Sequence, residues 1–338
     1  MSEHPLIRVE GLEVHFPIRG KGIFGGATGL VKAVDGVSFE IRKGETVGLV
    51  GESGSGKTTI GRAVLRAVEP TAGRITFQLN GDEVDLADLR RGELRKFRRH
   101  MQLIFQDPYS SLNPRMTVRD IIAEPLEAMG LLKTRAEIDV RVREVAARCK
   151  LNVEHLRRFP HAFSGGQRQR ICIARALVCH PEFMVCDEAV SALDVSIQAD
   201  VLNLLADLQQ ELGLAYLFIA HDLSVVAHIS HRVAVMYVGQ LVELSSSRRM
   251  FENPLHPYTR ALLSAIPHVA EDQDFRPEKL EGEIPNPAAL PSGCRFHTRC
   301  RFARDRCKHE VPEWREMEEE HFVACHFAGQ LDGGGDRP

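Results

Sequence analysis

The sequence predicts an α/β fold with a mainly parallel sheet, and three features of the chain support this prediction. Short apolar strand patterns alternate with helical patterns over most of the length. One strand pattern, Thr46–Val50, leads directly into a glycine-rich loop and then into a helical pattern. Acidic or polar residues follow the ends of several other strands. Strands that alternate with helices in this way form parallel sheets with helices packed on their faces.

Length and composition are those of an ordinary globular protein. The 338 residues are enough for one large domain and an appendage. With 43% hydrophobic and 26% charged residues, the composition is typical of a globular protein. The net charge is −3, so the chain has no overall positive charge that would indicate a nucleic-acid partner. No apolar run approaches the roughly 18 residues of a membrane span, and the N-terminus lacks the pattern of a secretory signal. We therefore expect a cytoplasmic location.

The elements follow one another in a regular order. Strands are predicted at Leu6–Phe16, in two short stretches of Val31–Ile41, and at Thr46–Val50, Gly73–Phe77, Gln102–Phe105, Phe183–Asp187 and Ala215–Ala220. Helices are predicted at about Lys57–Val68, Val118–Ala128, Arg135–Leu151, Ser164–Val178, Ser196–Leu212 and His256–Ala265. Prolines punctuate the helical segments between about 107 and 163, which predicts an inserted helical subdomain. Irregular stretches are expected at 21–29 and 272–292, and a disordered tail at 333–338.

The loop after Thr46–Val50 fits the phosphate-binding pattern G-x-x-x-x-G-K-[ST]. Its residues are Gly51, Glu52, Ser53, Gly54, Ser55, Gly56, Lys57, Thr58 and Thr59. Glycines let backbone N–H groups turn toward phosphate oxygens, and the helix start adds partial positive charge. Lys57 is the candidate for binding the terminal phosphates, and Thr58 for binding Mg²⁺. The alternative is a glycine-rich turn that fits by chance, but the strand and helix on either side favour a phosphate loop.

Further candidate residues follow other strands. Asp187 and Glu188 end an apolar strand, where an acid in an α/β sheet points into the ligand crevice. Asp187 is then a candidate for holding Mg²⁺, and Glu188 for the general base that activates water. A strand-end acidic pair alone is more often part of a surface turn. Together with the phosphate loop, however, the pair favours a catalytic role. Gln106 is a candidate for contacting the metal or the water, and His221 for contacting the γ-phosphate, although a lone histidine is more often structural.

The order of these motifs resembles that of ATP-binding-cassette (ABC) ATPases. The phosphate loop, Gln106, Ser164-Gly165-Gly166-Gln167, Asp187-Glu188, Ser191-Ala192-Leu193-Asp194 and His221 occur in the family's order. The resemblance implies that these six elements are, in the same order, the phosphate-binding loop, the Q-loop glutamine, the signature motif, the catalytic acids, the D-loop and the switch histidine. It also implies a phosphate-loop core with an antiparallel β subdomain and a helical insertion.

The signature motif implies a second protein molecule. Two glycines and a serine at a helix start form a second anion-binding site. The resemblance implies a head-to-tail dimer with ATP between the phosphate loop of one subunit and the signature of the other. Phe16 occupies the family's place for an aromatic that stacks on adenine, and a half-buried strand residue is an equal alternative. Ala189 departs from the proline that usually follows the catalytic glutamate.

Two segments resemble dipeptide and oligopeptide importers in particular. They are Phe105–Arg115 and the stretch His256–Thr259 followed by Leu262 and Leu263. The resemblance implies an ATPase domain over 6–255 and an importer-type extension over 256–330. It implies a peripheral location on the cytoplasmic face of the inner membrane, with a second ATPase subunit, two transmembrane permease subunits and, indirectly, an extracytoplasmic solute-binding protein as partners. The alternatives are an importer of nickel or another small solute, and a soluble ABC ATPase of DNA repair or translation.

The eight cysteines fall into two groups. Cys149, Cys172, Cys179 and Cys186 lie singly in apolar patterns and are expected in the core. Cys294, Cys300, Cys307 and Cys325 are spaced C-x5-C-x6-C-x17-C, which in a reducing compartment favours a metal site over disulfides. The spacing resembles that of importer ATPases whose extension binds a 4Fe-4S cluster. Structural zinc and free thiols are the alternatives, and His297, His309, His321 or His326 are possible replacement ligands.

Overall fold

The computed structural model describes residues 5–19, 27–265 and 280–331. Most of the predicted loop at 21–29, part of the stretch at 272–292 and the whole tail at 333–338 lie outside the described residues. The chain divides into two compact units. The first comprises residues 1–8, 40–46 and 76–220, and the second comprises residues 9–39, 47–75 and 221–338.

The described residues form strands and helices in the following order. The strands are β1 (Ile7–Arg19), β2 (Ala27–Ile41), β3 (Thr46–Val50), β4 (Ala72–Leu79), β5 (Asp82–Asp85), β6 (Met101–Ile104), β7 (Phe183–Asp187), β8 (Ala215–Ile219), β9 (Arg232–Tyr237), β10 (Gln240–Ser246), β11 (Arg315–Glu318) and β12 (His321–Val323). The helices are α1 (Lys57–Val64), α2 (Arg91–Phe97), α3 (Pro108–Ser111), α4 (Val118–Met129), α5 (Arg135–Arg148), α6 (Gly165–Leu177), α7 (Val195–Leu212), α8 (Leu223–Ile229), α9 (Ser247–Glu252), α10 (Pro257–Ser264) and α11 (Asp305–His309).

The first unit contains a parallel ladder in the order β6-β7-β8. Every residue of β7 and β8 is buried, which explains their continuous apolar sequences. Phe183 pairs with Ala215 at one end of the ladder, and Asp187 pairs with Ile219 at the other. Because the strands are parallel, their carboxyl ends meet at one edge, which places the residues after β6 beside those after β7.

The second unit contains a mixed ladder in the order β11-β12-β10-β9-β3. Only β3 and β9 pair in parallel, and the remaining pairs are antiparallel. The C-terminal strand β12 lies against β10, with Val323 opposite Glu243. Strand β12 is therefore hydrogen-bonded into the sheet that carries β3 and the phosphate loop.

Most predicted elements are present, with changes at their ends. The helix predicted to reach Val68 ends at Val64, because Arg66 takes a left-handed conformation with φ of 52°. The two strand stretches predicted within Val31–Ile41 form one strand, β2. Strands β9 and β10 were not predicted, nor was the β4–β5 hairpin with Asn80 and Gly81 at its turn. The cysteines expected in the core, Cys149, Cys172, Cys179 and Cys186, are all buried.

Candidate functional site

The phosphate loop begins at the end of β3 and leads into α1. Gly51 has φ of 147° and Gly56 has φ of 108°, conformations that other residues rarely adopt. A Cβ atom at Gly51 would lie 2.1 Å from the Met236 carbonyl oxygen, and one at Gly56 would lie 2.1 Å from the Ala33 carbonyl oxygen. Both glycines are therefore required by backbone conformation and by lack of space.

Lys57 is buried and its ammonium group faces the loop's own backbone. Its Nζ donates hydrogen bonds to the carbonyl oxygens of Gly51, at 2.8 Å, and Glu52, at 2.9 Å. The Ser55 hydroxyl is also buried and has no hydrogen-bond partner. A buried polar atom without a partner is uncommon in proteins and fits a site that receives oxygen ligands. Ser53 and Gly54 are exposed, and Thr58 and Thr59 are partly exposed on the first turn of α1.

In the first unit, Gln106 and Glu188 are brought into contact. Gln106 Nε2 donates a hydrogen bond of 2.7 Å to Glu188 Oε2. The adjacent Asp187 is buried at the end of β7. Glu188 has φ of 50°, which is uncommon for a residue with a side chain. Its backbone N–H donates to Ile219 O at 2.9 Å, and the Ser191 hydroxyl donates to Glu188 O at 2.9 Å, so local bonds hold this conformation.

The signature residues also lie in the first unit, at the start of α6. Ser164 is the N-cap: its hydroxyl accepts the Gln167 N–H at 3.4 Å, and its own N–H donates to Gln167 Oε1 at 3.0 Å. This reciprocal capping box satisfies two N–H groups of the helix start. A Cβ atom at Gly166 would lie 2.4 Å from Ile197 Cγ2, so the buried glycine allows α6 and α7 to approach closely. Gly165 is partly exposed, whereas Ser164 and Gln167 are exposed.

The remaining predicted residues have these positions. Asp194 is the exposed N-cap of α7 in the first unit, and its side chain makes no capping hydrogen bond. His221 is exposed and follows β8 by two residues, in the second unit. Phe16 lies in β1 with 42% of its surface exposed, which suits an aromatic free to stack and equally a half-buried strand residue.

Sequence reasoning missed that Glu52 of the phosphate loop contacts two residues of the C-terminal extension, Arg299 and Tyr258. The Arg299 guanidinium binds the Glu52 carboxylate through two hydrogen bonds, Nη1 to Oε2 at 2.6 Å and Nη2 to Oε1 at 3.1 Å. The Tyr258 hydroxyl accepts the Glu52 backbone N–H at 2.9 Å. Tyr258 belongs to the His256–Thr259 stretch, but no spacing rule connects it to residue 52.

The four C-terminal cysteines are free thiols that line one cavity. Other residues around it include His256, Phe296, His297, Phe302, His326 and Phe327. Burial, with a smaller contribution from the neighbouring thiols, raises the pKa of Cys294 to about 11 and that of Cys300 to about 12. Of the four suggested replacement ligands, His297 and His326 line the cavity. His321 instead contacts Glu243 at 2.8 Å, and His309 lies at the surface.

Known proteins resemble the chain along almost its whole length. The family model described as "ABC transporter" matches residues 34–191, and that described as "Oligopeptide/dipeptide transporter, C-terminal region" matches residues 242–307. The oligopeptide transport ATP-binding protein AppF of Bacillus subtilis is 50% identical over 329 residues, which are 96% of this chain and 98% of the relative. The chain belongs to the ABC transporter family. A putative peptide import ATP-binding protein of Brucella ovis is 54% identical over 327 residues, 96% of this chain and 98% of the relative.

Solved structures identify the fold as that of an ABC ATPase with mixed α/β sheets. A dimeric ATP-binding cassette in a post-hydrolysis state, bound to ADP and phosphate, matches with a TM-score of 0.61 and 26% identity. The match covers 72% of this chain and 99% of that structure. CbiO1 from Clostridium perfringens, part of the ABC transporter complex CbiONQ, matches with a TM-score of 0.62 and 25% identity, covering 74% of this chain and 92% of that structure.

As an ABC ATPase, the protein hydrolyses ATP to ADP and phosphate. Within the described residues, no helix combines the length and the apolar character of a membrane span.

Proposed function

We propose that this ABC ATPase powers the uptake of dipeptides or oligopeptides across the cytoplasmic membrane. One observation carries the proposal. The nucleotide-binding family model is joined in the same chain to a model of the oligopeptide/dipeptide transporter C-terminal region. Relatives that match nearly end to end are named as oligopeptide transport and peptide import ATP-binding proteins.

The second unit supplies the residues proposed to bind the phosphates. Backbone N–H groups of the loop from Gly51 to Thr59 would receive phosphate oxygens, and the unpartnered Ser55 hydroxyl can join them. Lys57 would exchange its bonds to the loop carbonyls for bonds to the terminal phosphates. Phe16 is the proposed stacking partner of adenine, and His221 the proposed contact of the γ-phosphate.

Thr58, Gln106 and Asp187 are the proposed magnesium-site residues. Their hydroxyl, amide and carboxylate oxygens are the hard donors that Mg²⁺ prefers, directly or through water. When bound with ATP, Mg²⁺ neutralises charge that develops on the phosphate oxygens.

Glu188 is the proposed general base. Its Oε2 accepts a hydrogen bond from Gln106, which fixes the direction of the carboxylate. The carboxylate accepts a proton from water as the water oxygen bonds to the γ-phosphorus. The bond from that phosphorus to the bridging oxygen of ADP breaks, and ADP leaves.

We propose that Ser164, Gly165, Gly166, Gln167 and Asp194 act on a nucleotide held by a second ATPase subunit. The exposure of Ser164, Gln167 and Asp194 leaves them accessible to such a partner. One similar solved structure is described as a dimer bound to ADP and phosphate. Two permease subunits and, indirectly, an extracytoplasmic solute-binding protein complete the proposed importer, with the ATPase pair at the cytoplasmic face.

Purification of the whole complex tests the peptide assignment. We expect the chain to co-purify with two permease subunits and a second ATPase subunit. In membrane vesicles, peptide-loaded binding protein should raise ATP turnover, because transport and hydrolysis are coupled. Stimulation by nickel-loaded binding protein alone would instead support the metal-importer alternative. Purification without membrane subunits, together with solute-independent turnover, would contradict the proposal.

We further propose that Cys294, Cys300, Cys307 and Cys325 hold a 4Fe-4S cluster. In tetrahedral zinc sites with Zn–S bonds of about 2.3 Å, the sulfur atoms lie about 3.8 Å apart. Within the described part of the chain, the only three potential ligand atoms from His, Cys, Asp or Glu that lie within 4.8 Å of one another belong to Glu13, His15 and Asp35. The thiols that line the cavity are thus spread more widely than zinc requires. A cluster binds each thiolate to a different iron and suits such spacing.

Anaerobic purification tests this second proposal. The protein should contain iron and acid-labile sulfide in equal amounts, with the absorbance of a cluster and, after chemical reduction, its electron paramagnetic resonance signal. Cys300→Ala should lose both elements, whereas Cys179→Ala, which removes a core thiol, should keep them. Stoichiometric zinc without sulfide would overturn the assignment.

A further inference from the structure

The C-terminal extension holds the second residue of the phosphate loop at two points. Arg299 binds both carboxylate oxygens of Glu52, and Tyr258 accepts the backbone N–H of the same residue. The Arg299 side chain is 5% exposed and that of Glu52 is 25% exposed. Both the side chain and the peptide group of Glu52 are therefore fixed by residues more than 200 positions later in the chain.

This contact is stronger than an ordinary surface ion pair. A guanidinium and a carboxylate joined by two parallel hydrogen bonds gain both energy and a defined orientation. The hydrogen bonds to Glu52 raise the pKa of Arg299, so the guanidinium stays charged. Tyr237 supports the arrangement, because its hydroxyl accepts a bond of 3.4 Å from Arg299 and its ring lies 4.7 Å from that of Tyr258.

The segment that carries Arg299 is fastened at a second place. Arg295 forms an ion pair with Asp35 of β2, and its Nη1 donates to the Val238 carbonyl oxygen at 2.6 Å. Val238 follows β9, the strand that pairs with β3. The short stretch between Cys294 and Cys300 thus spans from β2 to the phosphate loop and is anchored at both ends.

Fixing Glu52 also fixes the place of Lys57. The Lys57 ammonium binds the carbonyl oxygens of Gly51 and Glu52, which belong to the peptide groups on either side of the Glu52 α-carbon. If Glu52 lost Arg299 and Tyr258, these peptide groups would be held only by Lys57 and by the Ser55 N–H, which donates to the Glu52 carbonyl oxygen at 3.2 Å. The loop would then have to be ordered when nucleotide binds, at a cost in affinity.

We propose that Arg299, assisted by Tyr258, is a positioning residue that sets the affinity of the phosphate loop for ATP. The C-terminal extension is then part of the nucleotide-binding apparatus as well as of the cysteine cavity. This inference rests on the phosphate-binding role proposed above for Lys57.

Nucleotide binding by variants of the full-length chain tests the inference. The probe is a fluorescent ATP analogue, and kcat, KM and the thermal unfolding midpoint are measured alongside its Kd. Arg299→Gln should raise Kd and KM about tenfold, while kcat changes by less than about twofold. Arg299→Lys should recover part of the affinity, because it keeps the charge but not the two-pronged geometry. Glu52→Gln should match Arg299→Gln, and the double variant should be no weaker than either.

Arg306→Gln is the matched control. Arg306 lies in the same extension and pairs with Glu310, but both side chains are 57% exposed. It should bind the analogue as the wild type does. A wild-type Kd in Arg299→Gln with an unchanged unfolding midpoint would overturn the inference, as would an equal loss in Arg306→Gln.

Two further measurements keep the test decisive. If Arg299→Gln does not fold, Arg299→Lys and Glu52→Gln decide the matter, because wild-type affinity in both would contradict the proposed role. Lys57→Ala should lose binding of the analogue. If it binds normally, the phosphate-loop assignment fails, and the inference with it. If it loses binding while the Arg299 variants remain normal, only the inference fails.

Discussion

Glu188 is the residue whose chemistry is tested most directly. Replacing its carboxylate by an amide removes the proposed proton acceptor and keeps the size of the side chain. Glu188→Gln should lower kcat by about a hundredfold or more, because general bases contribute that much, and should leave ATP binding intact. Steady-state turnover measures kcat, and titration with a fluorescent ATP analogue measures Kd.

The matched control for this variant is Glu252→Gln. Glu252 is exposed on α9, where it pairs with Arg248. Its replacement should leave turnover unchanged. Normal turnover in Glu188→Gln would remove Glu188 from the role of base.

His256 should make stability depend on pH. Burial lowers its pKa from 6.5 to about 4, although the nearby Glu243 carboxylate opposes this shift. Between these values the unfolded chain binds a proton that the folded chain does not. Stability contributed by this residue is therefore complete above pH 6.5 and falls by about 1.4 kcal/mol for each pH unit toward 4.

Comparison with His256→Asn isolates this effect. Asparagine can still accept the Tyr258 N–H, which His256 Nδ1 accepts at 3.1 Å, but it does not titrate. Urea unfolding at several pH values should show the wild type losing more stability than the variant below pH 6.5. Parallel profiles would show that folding does not lower the pKa of His256.

At the scale of elements, α5 and α6 both begin with a capping box. Comparing them separates the effect of a cap on stability from an effect on ATP turnover. Thr134 with Glu137 caps α5, and Ser164 with Gln167 caps α6. Thr134→Ala and Ser164→Ala should each lower the free energy of unfolding by about 1 kcal/mol, because each removes an N-cap acceptor. Only Ser164→Ala should also reduce ATP turnover of the assembled importer. Equal turnover in the two variants would make Ser164 a cap and nothing more.

Local sequence predicted the elements whose burial follows from their own residues. Strand β7 has the predicted bounds, and β8 differs by one residue, because both are apolar throughout. Strand β10 was missed because it buries Glu243 and Ser245, which spoil an apolar pattern. Glu243 is tolerated there only because its carboxylate accepts the Leu255 and His256 N–H groups and contacts His321, which is 78 residues away.

The candidate site residues also differ in whether local sequence reveals them. Local motifs were enough to propose the phosphate loop, Gln106, Glu188 and the signature as site residues. The bond between Glu52 and Arg299 joins residues 247 positions apart, so no local pattern contains it.

At the scale of the whole molecule, the C-terminal extension is bonded into the second unit rather than appended to it. Strand β12 pairs with β10, and His321 meets Glu243 at 2.8 Å where both side chains are fully buried. Removing His321 leaves the buried Glu243 carboxylate without one of its hydrogen-bond partners. His321→Ala should therefore lower the free energy of unfolding by about 3 kcal/mol, measured by urea denaturation.

His309→Ala provides the comparison for this prediction. His309 belongs to the same extension, but its side chain is 72% exposed and lies 3.9 Å from Asp305. Its loss should change stability by no more than about 0.5 kcal/mol. Similar stability in both variants would mean that the extension unfolds independently of the sheet.

The left-handed backbone at Glu188 has a consequence for which residues suit that position. Glycine or asparagine would adopt that conformation more readily, so Glu188→Gly or Glu188→Asn should raise the free energy of unfolding. Stability alone would therefore favour replacement of Glu188, and the catalytic role proposed for its carboxylate is what would oppose that replacement.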